Sequence, residues 1–172
     1  KIIDQYLTVN TPDIDLDAVG AFEVAGMAVE VIDPVSDYAE LMETLFDFDL
    51  IRAKIKGGLT LRFDAMSAVT GPYAKEILER RLGAAEGSVI NFIPLPDFGG
   101  HHPDPNLVHA HELYELMMSD KAPDFGAASD GDGDRNLILG RNCFVSPGDS
   151  LAIIAELAPA CIPAYRKGLS GV

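Results

Sequence analysis

From Ala28 onward, apolar and polar positions repeat in a fixed order: a short alternating run, then a longer stretch with helical spacing. Ala28-Val29-Glu30-Val31-Ile32-Asp33 alternates as a strand does. After it Tyr38, Leu41, Leu45 and Phe48 recur three or four residues apart, which predicts a helix with Ser36 as its N-cap. Leu59-Thr60-Leu61-Arg62-Phe63-Asp64 alternates again, and Gly71-Pro72 leads into a helix with Tyr73, Ile77 and Leu78 that Gly83 should end. A third unit runs from the strand Ser88-Val89-Ile90-Asn91-Phe92-Ile93 through the loop Pro94 to Pro105. A helix starting at Asn106 follows, with Leu107, Leu113, Leu116 and Met117. Phe125 to Ser129 is a fourth strand, and Asn136 to Gly140 lies close enough behind it to pair as a hairpin, which would make the sheet mixed. Ser146-Pro147-Gly148-Asp149 reads as the capped start of a helix through Ile153, Ile154 and Leu157. The aliphatic stripes of all these helices are expected to pack on the sheet.

The alternation predicts an α/β fold, a three-layer α/β/α sandwich with a mixed, mostly parallel sheet of about four to five strands. Residues 1–25, with an amphipathic piece, Thr11-Pro12-Asp13 and stretches alternating aspartate with aliphatic residues, are expected to be an irregular lead-in to a domain over 26–172.

Composition narrows the function. With 172 residues and 48% hydrophobic content the chain can bury a sizeable core in one domain. Its 13 basic and 27 acidic residues leave a net charge of −14, which argues against nucleic acid and anionic membranes as partners. Cys143 and Cys161 are the only cysteines and suit neither a disulfide framework nor a thiolate zinc motif, so a reducing, cytoplasmic location is expected. No apolar run approaches the roughly 18 residues of a membrane span, and Lys1-Ile2-Ile3-Asp4 has no signal-peptide pattern. A chain that opens on Lys and stops at Leu169-Ser170-Gly171-Val172 is expected to be a piece of a longer protein.

The chemistry concentrates in Asp130-Gly131-Asp132-Gly133-Asp134-Arg135, directly after the fourth strand. Aspartates at every second position converge only if the backbone between them curls tightly, and glycine permits that curl. Three converging carboxylates repel one another unless a cation neutralises them, and oxygen-only ligands select magnesium, calcium or manganese over zinc. A solvated acidic turn is the plain alternative. An EF-hand calcium loop fails, because its sixth position should be glycine and is Arg135, and its twelfth should be glutamate and is Arg141. The edge where the strand ends is also where open α/β sheets bind ligands.

A second cluster lies in Phe98-Gly99-Gly100-His101-His102-Pro103-Asp104-Pro105-Asn106, followed by His109 and His111. Adjacent histidines point apart, a pair two residues apart on a helix diverges by about 200°, and no cysteine joins them, so zinc is disfavoured. A rigid, shaped loop with a structural role or contact to a ligand or neighbouring domain is expected instead. Asp64, ending its strand, is expected to cap a loop or to support the site from behind.

These motifs resemble the second domain of the phosphoglucomutases, in the α-D-phosphohexomutase superfamily. Asp-Gly-Asp-Gly-Asp-Arg at 130–135 matches the superfamily's metal loop, and Asp-Phe-Gly-Gly-His-His-Pro-Asp-Pro-Asn-Leu at 97–107 resembles its glucose-specific branch. Phe63-Asp64-Ala65-Met66, Val69-Thr70-Gly71-Pro72-Tyr73 and Val31-Ile32-Asp33-Pro34-Val35 with Tyr38 fall in the same order. The resemblance covers about Val29 to Val172, and the lead-in looks like the tail of a preceding domain.

The resemblance implies interconversion of glucose 1-phosphate and glucose 6-phosphate through a phosphoserine and glucose 1,6-bisphosphate. It implies Mg²⁺ on Asp130, Asp132 and Asp134, and substrate contact at Asp134 and Arg135, with Arg135 a catalytic group against the transferring phosphoryl. The phosphoserine, sugar-discriminating and phosphate-binding loops have no counterpart here. The partners implied are therefore a phosphosugar and the other domains of a parent chain, and this piece alone should be inactive. A non-catalytic cation-binding or scaffold paralogue, or a mutase for another phosphosugar, is the alternative; a serine retained or replaced upstream of Lys1 would separate catalyst from scaffold.

Overall fold

The computed structural model describes residues 15–24 and 26–171. The amphipathic opening and Thr11-Pro12-Asp13 lie outside the described residues. The end of the expected lead-in is not irregular: β1 (Gly20–Val24) pairs antiparallel with β2 (Met27–Val31) as a two-stranded hairpin. That also corrects the place of the first strand, which stands apart from the main sheet.

Next come α1 (Pro34–Leu45) and α2 (Phe48–Lys56). The sequence pattern merged them, since Phe48 continues the apolar spacing of α1. What separates them is capping: Asp33, not Ser36, caps α1 by accepting from the Val35 and Ser36 amides, and Asp47 accepts from the Leu50 amide to start α2.

The main sheet holds β3 (Leu61–Asp64), β4 (Val89–Ile90), β5 (Phe125–Ser129), β6 (Asn136–Gly140) and β7 (Cys143–Val145), in the order β4-β3-β5-β6-β7. β3 lies parallel to both β4 and β5, and β6 runs antiparallel to β5 and β7. The sheet is thus mixed as expected, with β6 alone reversed; β7, too short to show a pattern, extends it by one strand. The third strand shrinks from the expected six residues to two.

Helices connect the parallel strands. α3 starts at Gly71–Ala74 and continues as π-helical turns over Lys75–Arg81. The helix expected from Asn106 begins later, as α4 (His111–Met117), after turns that Asn106 holds by accepting from the Val108 and His109 amides. Leu113 and Met117 of α4 pack with Met66, Ala128, Leu137 and Leu139 into a buried cluster. Gly126 is required there, because a Cβ on it would lie 2.7 Å from the Met117 sulfur. α5 (Pro147–Cys161) starts as expected on Ser146, whose hydroxyl accepts from the Asp149 amide.

The expectation that every apolar stripe packs on the sheet fails for α1, where Tyr38, Leu41 and Leu45 stay exposed and Ala39 is the buried residue, and it fails further for α5. Leu151, Ile153, Ile154 and Leu157 are each at least 50% exposed, and Ala158 is its buried residue. A helix apolar around most of its circumference has more greasy surface than one sheet edge can cover.

The parallel strands β3, β4 and β5 end together at Asp64, Ile90 and Ser129, so the segments that follow them share one edge of the sheet. α3 is held against that edge by a close approach at Gly71, where a Cβ would lie 2.1 Å from the Phe92 carbonyl oxygen. Gly71→Ala should therefore cost about 3 kcal/mol or more, since backbone must move. Urea unfolding of the variant measures this, and a loss under about 0.5 kcal/mol would mean the approach is looser than described.

Candidate metal centre

At the end of β5 the chain turns sharply around one buried carboxylate. Asp130 is 1% exposed, and its Oδ1 accepts from the Gly133 and Arg135 amides, each at 3.0 Å. Its Oδ2 accepts from Arg135 Nε at 2.9 Å, and its own amide donates to the Arg135 carbonyl. Gly133, at φ +82°, supplies the left-handed turn that brings these amides inward. A side chain there would also collide with Thr70, whose Cγ2 lies 2.7 Å from the Cβ position.

The curl does what the alternating sequence requires. One carboxylate oxygen from each of Asp130, Asp132 and Asp134 lies within 4.8 Å of the others, with Asp132 and Asp134 exposed. An all-oxygen set with one fixed and two solvent-facing members fits a hard divalent cation that keeps some of its water.

The charges register the crowding. Burial works to raise the Asp130 pKa but is outweighed by the Arg135 amide and guanidinium and by a hydrogen bond with Asp134, leaving it lowered to about 2. Asp134 moves the opposite way: its hydrogen bond with Asp130 and the charges of Asp132 and Asp130 push its pKa up. A cation between them would remove that repulsion.

Arg135 is the loop's own positive charge. Its Nε binds Asp130, its Nη1 reaches Asp104 Oδ1 at 3.3 Å, and Asp134 stands 3.6 Å from Nε. Its Nη2 has no partner among the described residues, and the side chain is 64% exposed. The guanidinium is thus tied at Nε and Nη1, which leaves Nη2 free for a further acceptor.

Neighbouring segments support the loop. Thr70 and Ser129 share a 2.5 Å hydroxyl hydrogen bond. Asp64, buried as its strand ends, accepts from the Met66 amide and the Asn91 side chain, the loop-capping role expected of it. An open cleft of about 590 Å³ runs from Tyr38, Phe63, Tyr73 and Ile77 to Asp132 and Gly133, so the acidic loop forms one wall of a largely apolar recess.

The histidines divide. His102, Asp104 and His109 each bring a donor atom within 4.8 Å of the others, a convergence that the sequence reading missed. Yet the His102 and His109 rings stack 4.6 Å apart at 12°, so their in-plane lone pairs lie in nearly parallel planes rather than meeting at a point. Asp104 is also engaged, Oδ1 by Arg135 and Oδ2 by Asn106 Nδ2 at 2.8 Å. His111 pairs instead with Glu115 along α4. The contact between Asp104 and Arg135 spans 31 residues, and nothing local in the sequence signals it.

Residues 36–143 match the family model for the phosphoglucomutase/phosphomannomutase α/β/α domain II. The chain is 63% identical to a phosphoglucomutase of Rhizobium radiobacter over 172 residues, which is all of this chain and 32% of that protein. It is 54% identical to a chloroplastic phosphoglucomutase of Arabidopsis thaliana, over 99% of this chain and 27% of that one. A crystal structure of the Paramecium phosphoprotein parafusin, a phosphoglucomutase, in its open form superposes with a TM-score of 0.86 at 46% identity, covering 92% of this chain and 30% of that chain. The chain thus spans about a third of the length of these relatives. Among the described residues no helix is long and apolar enough to cross a membrane.

Because the folded pKa of Asp130 lies below the ordinary 3.8, its ionised form stabilises the fold: the contribution is complete above that value and is lost as pH falls toward about 2. The stability gap between wild type and Asp130→Asn, measured by urea unfolding without divalent cations, should therefore be larger at pH 5 than near pH 2. A gap that does not change with pH would mean the carboxylate charge does not hold the loop.

Proposed function

Given that the chain belongs to the phosphoglucomutase/phosphomannomutase family, through its α/β/α domain II, we propose that its parent protein interconverts glucose 1-phosphate and glucose 6-phosphate, with this domain as the cation-holding wall of the site. The observation that carries the reading is the convergence of Asp130, Asp132 and Asp134 beside an arginine whose Nη2 is free among the described residues. Naming of the relatives as phosphoglucomutases favours glucose over other hexoses.

In this reading a phosphoserine elsewhere in the parent chain gives its phosphoryl group to the 6-hydroxyl of glucose 1-phosphate. The serine hydroxyl is regenerated, and the bisphosphate later returns the 1-phosphoryl to that serine, leaving glucose 6-phosphate. Glucose 1,6-bisphosphate is thus both intermediate and activator. Mg²⁺ on the three aspartates would neutralise charge on the phosphoryl oxygens. Asp130 orients the loop through its amide contacts, while Asp132 and Asp134 present their carboxylates to solvent. Arg135 would hold a permanent charge and its free Nη2 toward the phosphoryl oxygens, with the other donors of its fork fixing its orientation, which suits a transition state whose charge is spread over those atoms. The exposed face of α5 would be covered by other domains of the parent chain.

Two variants of the parent protein test this. Asp132→Ala, at an exposed position, should abolish Mg²⁺-dependent mutase turnover while leaving the melting temperature nearly unchanged. It should also remove saturable Mg²⁺ binding, followed by calorimetry on this chain alone; turnover within twofold of wild type would end the metal assignment. Arg135→Lys replaces a fork with a point charge and should lower kcat/KM about tenfold or more. Unchanged steady-state kinetics would reduce Arg135 to a loop anchor.

A further inference from the structure

We infer that Asp104 is a positioning residue for Arg135, and that the histidine- and proline-rich loop from Phe98 to Asn106 exists to hold it. The inference rests on the function proposed above. Arg135 sits among carboxylates of its own loop: Asp130 binds its Nε, and Asp134 lies 3.6 Å away. With nothing else to hold it, the guanidinium is free to turn about its Cδ–Nε bond and fold onto Asp134, whose oxygens a cation needs. Asp104 opposes that collapse from a separate loop by accepting from Nη1 at 3.3 Å. Two carboxylates on two loops, one at Nε and one at Nη1, fix the plane of the guanidinium and leave Nη2 without a partner among the described residues.

The loop is built to keep Asp104 still. Prolines 103 and 105 restrict the backbone on both sides, and the Asp104 amide donates to the His102 carbonyl. Asn106 donates to Asp104 Oδ2 while its own oxygen takes the Val108 and His109 amides, which ties the carboxylate to the turns leading into α4. Phe98 and Pro103 also rest on the acidic loop, each 3.5 Å from where a Cβ would stand on Gly131. The stacked pair His102 and His109 ties this segment to the turns that follow it. The motif therefore acts on the reacting phosphoryl through Arg135.

A double-mutant cycle on the parent enzyme tests this with Asp104→Asn, Arg135→Ala and the pair together. Asp104→Asn should lower kcat about 10- to 100-fold, the loss expected from slight misplacement of a catalytic group. KM for glucose 1-phosphate should change less, Asp104→Glu should restore part of the loss, and Asp104→Asn should cost almost nothing further once Arg135 is alanine. If Asp104→Asn unfolds the domain, the same cycle run with Asp104→Glu decides. An unchanged kcat, or an equal loss with and without Arg135, overturns the positioning role while the mutase reading stands. An inactive wild-type parent overturns both.

Discussion

The buried Asp130 carboxylate is the contact on which the acidic loop depends. It is buried where β5 ends, and burial alone would favour its neutral form. Two amides and a guanidinium reverse that preference, and all three donors come from the residues that must curl back for the other carboxylates to converge. Charge and backbone shape are thus set together: the turn supplies the donors that keep Asp130 ionised, and ionised Asp130 holds the turn closed.

That arrangement leaves a strain that is electrostatic rather than steric. Asp134 is pushed toward its protonated form by its hydrogen bond with Asp130 and by the charges of Asp132 and Asp130, so each carboxylate makes ionisation of the next less favourable. Arg135 offsets part of it, but an arginine among aspartates is drawn toward them. Asp104 provides a second anchor from outside the loop, and the sheet makes this possible because the segments after β3, β4 and β5 emerge at one edge. The outer surface of α5 shows a different constraint, for no other described residue covers its apolar side chains.

Much of the fold was legible because it rests on local signals. The alternation around Phe63 and through β5, the Ser146-Pro147 start of α5 and the hairpin turn at 130–135 each depend on residues within a few positions of one another. The errors arose where local signals compete. Asp33 and Ser36 can both cap, and the side chain that reached the free amides was Asp33. Apolar spacing ran unbroken from α1 into α2, so only the cap at Asp47 marked the break. At 106–110 the Asn106 side chain holds a turn that periodicity alone reads as helix.

The sequence by itself determined the ligand chemistry: three aspartates at alternate positions with glycines between them can present oxygen donors to one point, because spacing and backbone freedom are local properties. Only the tertiary structure decided which carboxylate is buried, that Thr70 meets Ser129, and that Asp104 reaches Arg135. Those pairings join residues tens of positions apart, and the parallel register of β3 with β4 and β5 brings them to one edge. No spacing rule along the chain encodes that register, since it follows from which hydrophobic faces bury one another when the sheet and helices pack.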